Sequence, residues 1–499
     1  MNIHQSALPV LIVAAPLLLA FILPVLGRWR ASWAFSITIL ALGLSFLGSV
    51  AVTNIVLTVG PVQYFMGGWM PPWGIEFRID TLGALMLLLL SFICLLVAVF
   101  AKQSILKEAP DREPTFYSVF LLLVSGLTGI VATADMFNMY VFLEISSLTS
   151  YALVALGGGA AVVSAFRYVI LGTVGAAFYL LAVGYLYSVT GSLNMADLTL
   201  ILPDVYHLNA VRVGFAFLVI GLAIKMALFP MHAWLPGAYS DAPSSVSALI
   251  AATTTKVAAY ALIRMMFFVF EPNFSIELLP VTTLLSWMGA IAMVLGSVMA
   301  LAQSDLKRML AYSSVAQIGY IVLGIGLANT NGFTGGVLHL VNHAFMKGCL
   351  FLVAGAIVFR TGRRHIRELR NLSHAMPWTA AAFTVAAFSM IGIPPLGGFF
   401  SKLYLILGAI DSRQWIFVAV ILLSSVLALM YFVNVIRFMY FPDSDGSDRT
   451  VPLETQQEAP LSMLVPIVTL AVGVILLGVF NGNIVSHFIT ASMPTGFIR

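Results

Sequence analysis

The stretch GLAIKMALFPMHAWLPGAYSDAPSSVSALIAATTTKVAAYALIR, residues 221–264, decides the fold. It is apolar enough for hydrocarbon, yet it carries Lys225, His232, Asp241 and Lys256, with Pro230 five residues after the first lysine. A proline inside a helix removes a backbone hydrogen bond and frees a carbonyl one turn earlier, here close to Lys225. Ionisable groups inside membrane spans cost about 2.5–3.5 kcal/mol each on insertion scales and mark functional positions. The segment GIPPLGGFFSKLYLI, residues 392–406, repeats the theme: Pro394 and Pro395, then two glycines, then Lys402. Discontinuous helices in corresponding positions of two halves point to a transport path. The correspondence is by element, since Lys225 precedes its proline and Lys402 follows its pair. A plain kink would explain either break alone, but not two breaks that each carry a buried lysine.

Working outward, the rest of the 499-residue chain reads the same way: 61% is hydrophobic and 9% charged, and its mean hydropathy is +1.02. So few charges cannot clothe a water-soluble core, and about twenty apolar residues per span cap the count near fifteen. Short joints divide the chain into fourteen spans: 6–27, 31–58, 80–101, 115–132, 135–157, 162–189, 210–230, 244–270, 278–303, 308–328, 333–359, 378–409, 414–441 and 460–487. This is an all-α polytopic membrane protein, and its longest joints, 58–80, 189–210 and 441–460, are too short for a soluble domain. The N-terminus lacks the basic region of a signal peptide and reads as an uncleaved first span. Cys94 and Cys349 lie in apolar runs; two sulfurs hold neither an iron–sulfur cluster nor a closed zinc site. No cofactor and no metal are expected.

Fourteen Lys and Arg residues follow odd-numbered spans, among them Arg28, Arg30, Lys307 and Arg449, and four (Arg78, Arg212, Arg264 and Arg413) follow even-numbered ones. The positive-inside rule then places odd joints in the cytoplasm and both termini outside. The net charge of +4 reflects that orientation and not a nucleic-acid partner. An internal echo supports a repeat. Asp135 precedes a segment ending YALVALG at 157, Asp305 precedes one ending YIVLGIG at 326, and the offset is about 170 residues. Five spans correspond to five, and an odd count forces opposite topology, so the repeats are inverted. Chance likeness between Leu- and Gly-rich helices is the alternative. The divisions are 1–110 (three helices), 111–275 (first repeat, helices 4–8), 276–441 (second repeat, helices 9–13) and 442–499 (a joint and helix 14).

The other buried ionisable groups are few. Glu144 sits mid-span in the fifth helix, and His339, His343 and Lys347 share one stripe of the eleventh at i, i+4, i+8. That stripe must face helices or water, and imidazole titrates near neutral pH, so it could relay protons; two histidines satisfied inside a packed bundle is the other reading. Hydrocarbon disfavours charge on Glu144 and on Lys225, while mutual proximity favours it, so approach and separation would make a two-residue proton switch. A static ion pair is the alternative, but it leaves Lys256, Lys347 and Lys402 unmatched, and unpaired buried ammonium groups are costly. Arg167 and Arg264 are expected to snorkel to the interface. Asp135 suits a helix N-terminus, Asp80 and Asp241 could line a polar entry, and His232 and Asp241 are accessory candidates. Gly157–Gly159 opens no phosphate loop. The joint RTGRRHIRELR, residues 360–370, reads as a cytoplasmic anchor.

The segments FLEISSLTSYALVAL (142–156), residues 221–264, LHLVNHAFMKGCLFLVAG (338–355) and the 392–406 break together resemble the antiporter-like subunits shared by Mrp-type sodium/proton antiporters and respiratory complex I. The likeness runs from about the third span to the thirteenth. It implies fourteen helices, two inverted five-helix repeats, and discontinuous seventh and twelfth helices. It places functional roles on Glu144, Lys225, Lys256, His339, His343 and Lys402, and Lys347 joins them by its place on the histidine stripe. Some complex I subunits carry glutamate at the last position, where this chain has lysine. The chain has no long lateral helix after its fourteenth span, which leaves the D-type component of Mrp antiporters as the best resemblance, with M- or N-type components of complex I and hydrogenase relatives behind it. The resemblance implies a bacterial inner-membrane subunit without redox cofactor, working with other membrane subunits in the bilayer on H+ and Na+. The alternative is a proton-pumping subunit of an NADH:quinone oxidoreductase or hydrogenase relative.

Overall fold

The structure, a computed structural model, describes residues 4–27, 33–441 and 457–497. Arg28, Arg30 and Arg449, and most of the joint 441–460, lie outside the described residues. Eleven described helices are long and apolar enough to cross a membrane. They are α1 (Leu8–Gly27), α2 (Trp33–Thr58), α3 (Thr81–Glu108), α4 (Glu113–Ala132), α6 (Ala160–Thr190), α8 (Ser244–Val269), α9 (Val281–Leu301), α10 (Leu306–Leu327), α11 (Thr330–Thr361), α13 (Trp415–Tyr440) and α14 (Leu461–Val479). The three remaining spans are the polar α5 (Met136–Ala155) and two broken helices. In α7, Asn209–Lys225 is followed by Leu235–Asp241. In α12, Pro377–Ile391 is followed by Gly397–Asp411.

The centre of the bundle is α8 and α10, whose most apolar windows are 94% buried, whereas those of α1 and α13 are 33% buried. Water drives no association between helices inside lipid, so small residues that let backbones approach decide the packing. A Cβ on Gly126 of α4 would stand 2.8 Å from the Ser146 nitrogen of α5, and one on Gly296 of α9 would stand 2.6 Å from the Ala316 nitrogen of α10. These two contacts are the same contact, about 170 residues apart.

The helix starts repeat likewise. Asp135 caps α5 by accepting from the Asn138 amide at 2.6 Å, and Asp305 caps α10 by accepting from the Arg308 amide at 2.9 Å. Such caps satisfy amides that the first turn leaves unpaired. Each aspartate also forms an antiparallel bridge to the segment after the next helix, Asp135 with Asn194 and Asp305 with His365. The two corners sit at opposite ends of the bundle, as five-helix units of opposite topology require. The helices leading to them, α6 and α11, end on Gly191 and Gly362 at φ 67° and 69°, the left-handed closure that glycine permits.

Three features depart from the sequence reading. The joint 58–80 holds a small sheet of β1 (His4–Gln5), β2 (Val62–Phe65) and β3 (Glu76–Ile79) in the order β1-β2-β3. β1 is parallel to β2, and β2 is antiparallel to β3 with Val62 opposite Ile79. Glu76 is buried there and accepts from Gln63 at 2.5 Å and Asn194 at 2.8 Å. Second, Lys307, counted with a cytoplasmic joint, is buried in the first turn of α10. It donates to the Ala242 carbonyl at 3.0 Å and to Ser247 at 3.3 Å, because the α7–α8 joint exposes a carbonyl there that needs a donor. Third, Arg264 does not snorkel. It forms a two-pronged ion pair with Asp80 and donates to the Tyr260 hydroxyl at 3.0 Å. An ionised capping carboxylate within reach takes a guanidinium in two parallel, charge-assisted hydrogen bonds.

Candidate functional site

The fifth helix supplies the acidic member of the series. Glu144 Oε1 lies 3.8 Å from Lys225 Nζ, and the glutamate side chain is 27% accessible against 8% for the lysine. Lys225 also donates to Ser147 Oγ at 2.6 Å, one turn along α5 from the carboxylate. The lysine stands here because its helix stops on it. Ala227 adopts φ 58°, ending the first half of α7 before Pro230 is reached. The Ile224 carbonyl left behind is taken by the Trp234 indole at 3.0 Å. The proline therefore keeps open a break that the backbone has already made. His232 lies inside it, stacked on Phe229 with ring centroids 5.1 Å apart, and its Nδ1 finds no partner among the described residues.

From Lys225 the path inward crosses a cavity of about 20 Å³ lined by Ser147, Ser150, Tyr168, Lys225 and Thr254. That is room for one water, with hydroxyls to hold it. Beyond it stands Lys256, fully buried, donating to the Ala251 carbonyl at 2.5 Å. This carbonyl is available because α8 is itself broken at Thr253, whose φ and ψ are −122° and −59°. The sequence signal is Thr253-Thr254-Thr255. Thr253 and Thr254 donate back to the Leu249 and Ile250 carbonyls at 2.6 and 2.8 Å, the side-chain competition that bends helices.

On α11, His339, His343 and Lys347 are all fully buried, so their stripe faces helices and not lipid. Lys347 donates to the Leu310 carbonyl at 2.7 Å and Ser313 Oγ at 2.6 Å. His339 Nδ1 pairs with Ser401 Oγ at 2.9 Å, beside Lys402. Among the described residues His343 pairs with nothing through either nitrogen, and the two imidazoles lie 6.0 Å apart, centroid to centroid. Lys402 closes the series. It donates to the Met390 and Ile391 carbonyls, both at 2.9 Å, and to Ser425 Oγ at 3.0 Å, over the face of Tyr320. Those carbonyls are the ones freed at the end of Pro377–Ile391, so the break at Pro394-Pro395 and the lysine beyond it form one device.

The structure thus brings Glu144 to Lys225 and sets Lys256, His343, Lys347, His339 and Lys402 inward along the bundle. Asp241 lies apart, at the end of α7, accepting from Ser164 at 2.6 Å and Ser240 at 3.1 Å. Asp80 and Arg264 line a separate cavity of about 420 Å³ with Arg78 and Thr199. Sequence reasoning passed over Trp234, the α8 break and Asn342, which donates to the Gly397 carbonyl at 2.7 Å and so ties the histidine helix to the twelfth-helix break. Asn342 lies between the two histidines in sequence, which was the available signal.

A family model described as NADH:quinone oxidoreductase/Mrp antiporter, TM, matches residues 133–428. The N-type subunit of NADH-quinone oxidoreductase from Desulforudis audaxviator is 46% identical over 98% of each chain. The D-type subunit of the Na(+)/H(+) antiporter from Alkalihalophilus pseudofirmus is 32% identical over 83% of this chain and 82% of its own. Among solved structures, a chain of the membrane-bound sulfane sulfur reductase, an archaeal respiratory membrane complex, superposes with a TM-score of 0.89 at 31% identity over 97% of both chains. A chain of the Mrp complex from Dietzia sp. does so at 0.87 and 28%, over 97% of this chain and 96% of that one. By sequence and by fold, the chain belongs to the NADH:quinone oxidoreductase/Mrp antiporter family of membrane subunits.

Proposed function

We propose that this chain is the proton-translocating subunit of a multi-subunit Mrp-type Na+/H+ antiporter, seated in a bacterial inner membrane with both termini outside. The observation that carries this reading is the series of buried lysines that starts at the Glu144–Lys225 pair, 3.8 Å apart. While the carboxylate is near, it matches the charge on Lys225. When it withdraws, hydrocarbon disfavours the unmatched ammonium, and its proton moves by way of the hydroxyl-lined cavity toward Lys256. Lys347, the histidines and Lys402 continue the relay. A partner subunit is supported by the setting of Glu144. It lies on a flank with exposed Val141 and Leu148, and a carboxylate on a bare lipid-facing flank is costly.

A second reading is a proton-pumping subunit of an NADH:quinone oxidoreductase-like complex, favoured by the 46% identity to an N-type subunit. Reconstitution of the purified complex with a lumenal pH dye separates the two. A proton flux that answers a sodium jump supports the antiporter. Flux driven by NADH and quinone, with no response to sodium, supports the second reading and rejects the first.

A further inference from the structure

The second half of α7 reaches both helix breaks of the first repeat. At its start, the Trp234 indole donates to the Ile224 carbonyl at 3.0 Å, next in the chain to Lys225. Five residues on, the Tyr239 hydroxyl donates to the Ile250 carbonyl at 3.2 Å, next in the chain to Ala251, whose oxygen holds Lys256 at 2.5 Å. Neither oxygen lacks a local partner: the Ala227 amide donates to the first at 3.1 Å and Thr254 to the second at 2.8 Å. A carbonyl takes two donors, and at each break the second one comes from the same short helix. The two rings meet edge to face, with centroids 6.3 Å apart at 78°, a favoured aromatic arrangement. Tyr168, which lines the cavity beside Lys225, lies flat on Trp234 at 4.0 Å and 2°. Phe351 of α11 braces Tyr239 edge-on at 5.8 Å. Phenylalanine would fill both buried places as well, so the indole N–H and the phenol O–H are not accounted for by packing.

We propose that Trp234 and Tyr239 are positioning residues that tie the α7 break to the α8 break, so that Lys225 and Lys256 are set on the cavity between them as one unit. The contacts run from Ile224 through Trp234 and Tyr239 to Ile250, and close-packed rings transmit a displacement instead of absorbing it. A shift of the first half of α7, as Glu144 parts from Lys225, therefore reaches the turn of α8 that supports Lys256. Neither aromatic residue carries the proton; both keep its donor and its acceptor in line. The proposal rests on the relay reading of the two lysines.

In the intact reconstituted complex, dye-reported proton flux is followed under whichever drive the complex answers to. Trp234→Phe keeps a ring on Tyr168 and removes the indole donor, and Tyr239→Phe removes only a hydroxyl. Each is expected to lower flux by about tenfold or more, since small misplacements of reacting groups cost that much. The solvent deuterium isotope effect should rise, because proton passage between the lysines is the step slowed, and the half-saturating concentration of the driving substrate should stay unchanged. The double variant reads the coupling: residues in one chain of contacts lose together no more than the larger single loss, whereas independent supports multiply their losses. Multiplied losses, a loss with the wild-type isotope effect, or wild-type flux in both single variants overturns the tie and, beside silent Lys225→Ala and Lys256→Ala, leaves the relay standing. Wild-type flux in those two lysine variants overturns both. If Trp234→Phe fails to assemble, Tyr239→Phe decides alone: wild-type flux or an unchanged isotope effect overturns the tie, and a loss with a raised isotope effect supports it.

Discussion

Lys225 and Lys402 stand at the two helix breaks but answer to different partners, and their replacements should differ accordingly. Lys225 has a carboxylate and a serine. Lys225→Ala is expected to abolish cation-dependent proton exchange in everted vesicles while the assembly stays intact; exchange at the wild-type rate would remove it from the centre of the mechanism. Glu144→Gln should match that loss, and Glu144→Asp, which keeps the charge on a shorter stem, should keep part of the activity. Lys402 is held by two main-chain carbonyls and a serine. Lys402→Met leaves the Met390 and Ile391 oxygens buried without their donor, at about 1–3 kcal/mol for each group. A lower thermal midpoint of the detergent-purified complex should therefore accompany its loss of flux.

At the scale of elements, the two proline-marked breaks and the histidine stripe were legible because proline, glycine and a four-residue spacing speak through local backbone chemistry. The broken α8 was harder, since its signal is three threonines and not a proline, and back-bonding to the preceding turn only bends a helix slightly in most settings. The burial of Lys307 was hidden for a related reason: its place beside other basic residues and a helix start gives no hint that the end of α7 lies over it. Arg264 was misread because its partner, Asp80, is 184 residues away in the chain. Lys307→Ala removes a buried charged donor from the Ala242 carbonyl, at about 1.5–3 kcal/mol. Faster proteolysis in the α7–α8 joint of the purified complex would report it, and Lys307→Arg should restore most of the protection. Gly296→Val is expected to force α9 from α10, since its Cβ would meet the Ala316 backbone, and Gly126→Val to do the same at α4 and α5. Overpacking of this kind costs about 1–3 kcal/mol or more and should lower the yield of assembled complex for both variants alike.

The molecule as a whole has its string of lysines and histidines inside and the carboxylate that starts it at an edge. Orientation is a separate matter of loop charge, and a reporter fused at residue 365 is expected to read cytoplasmic; an external signal would invert every assignment of side. Composition was sufficient for the number of spans, because each span needs its own run of about twenty apolar residues.

The matched corners at Asp135 and Asp305 also bear on ancestry. A five-helix piece that carries the same corner while pointing up in one copy and down in the other would have entered the bilayer both ways before the copies were fused. Two separate polypeptides would then have met as an antiparallel pair about an axis lying in the plane of the membrane. The charge bias of the joints, from which a single orientation of the fused chain is expected, would be a later acquisition than the corners themselves.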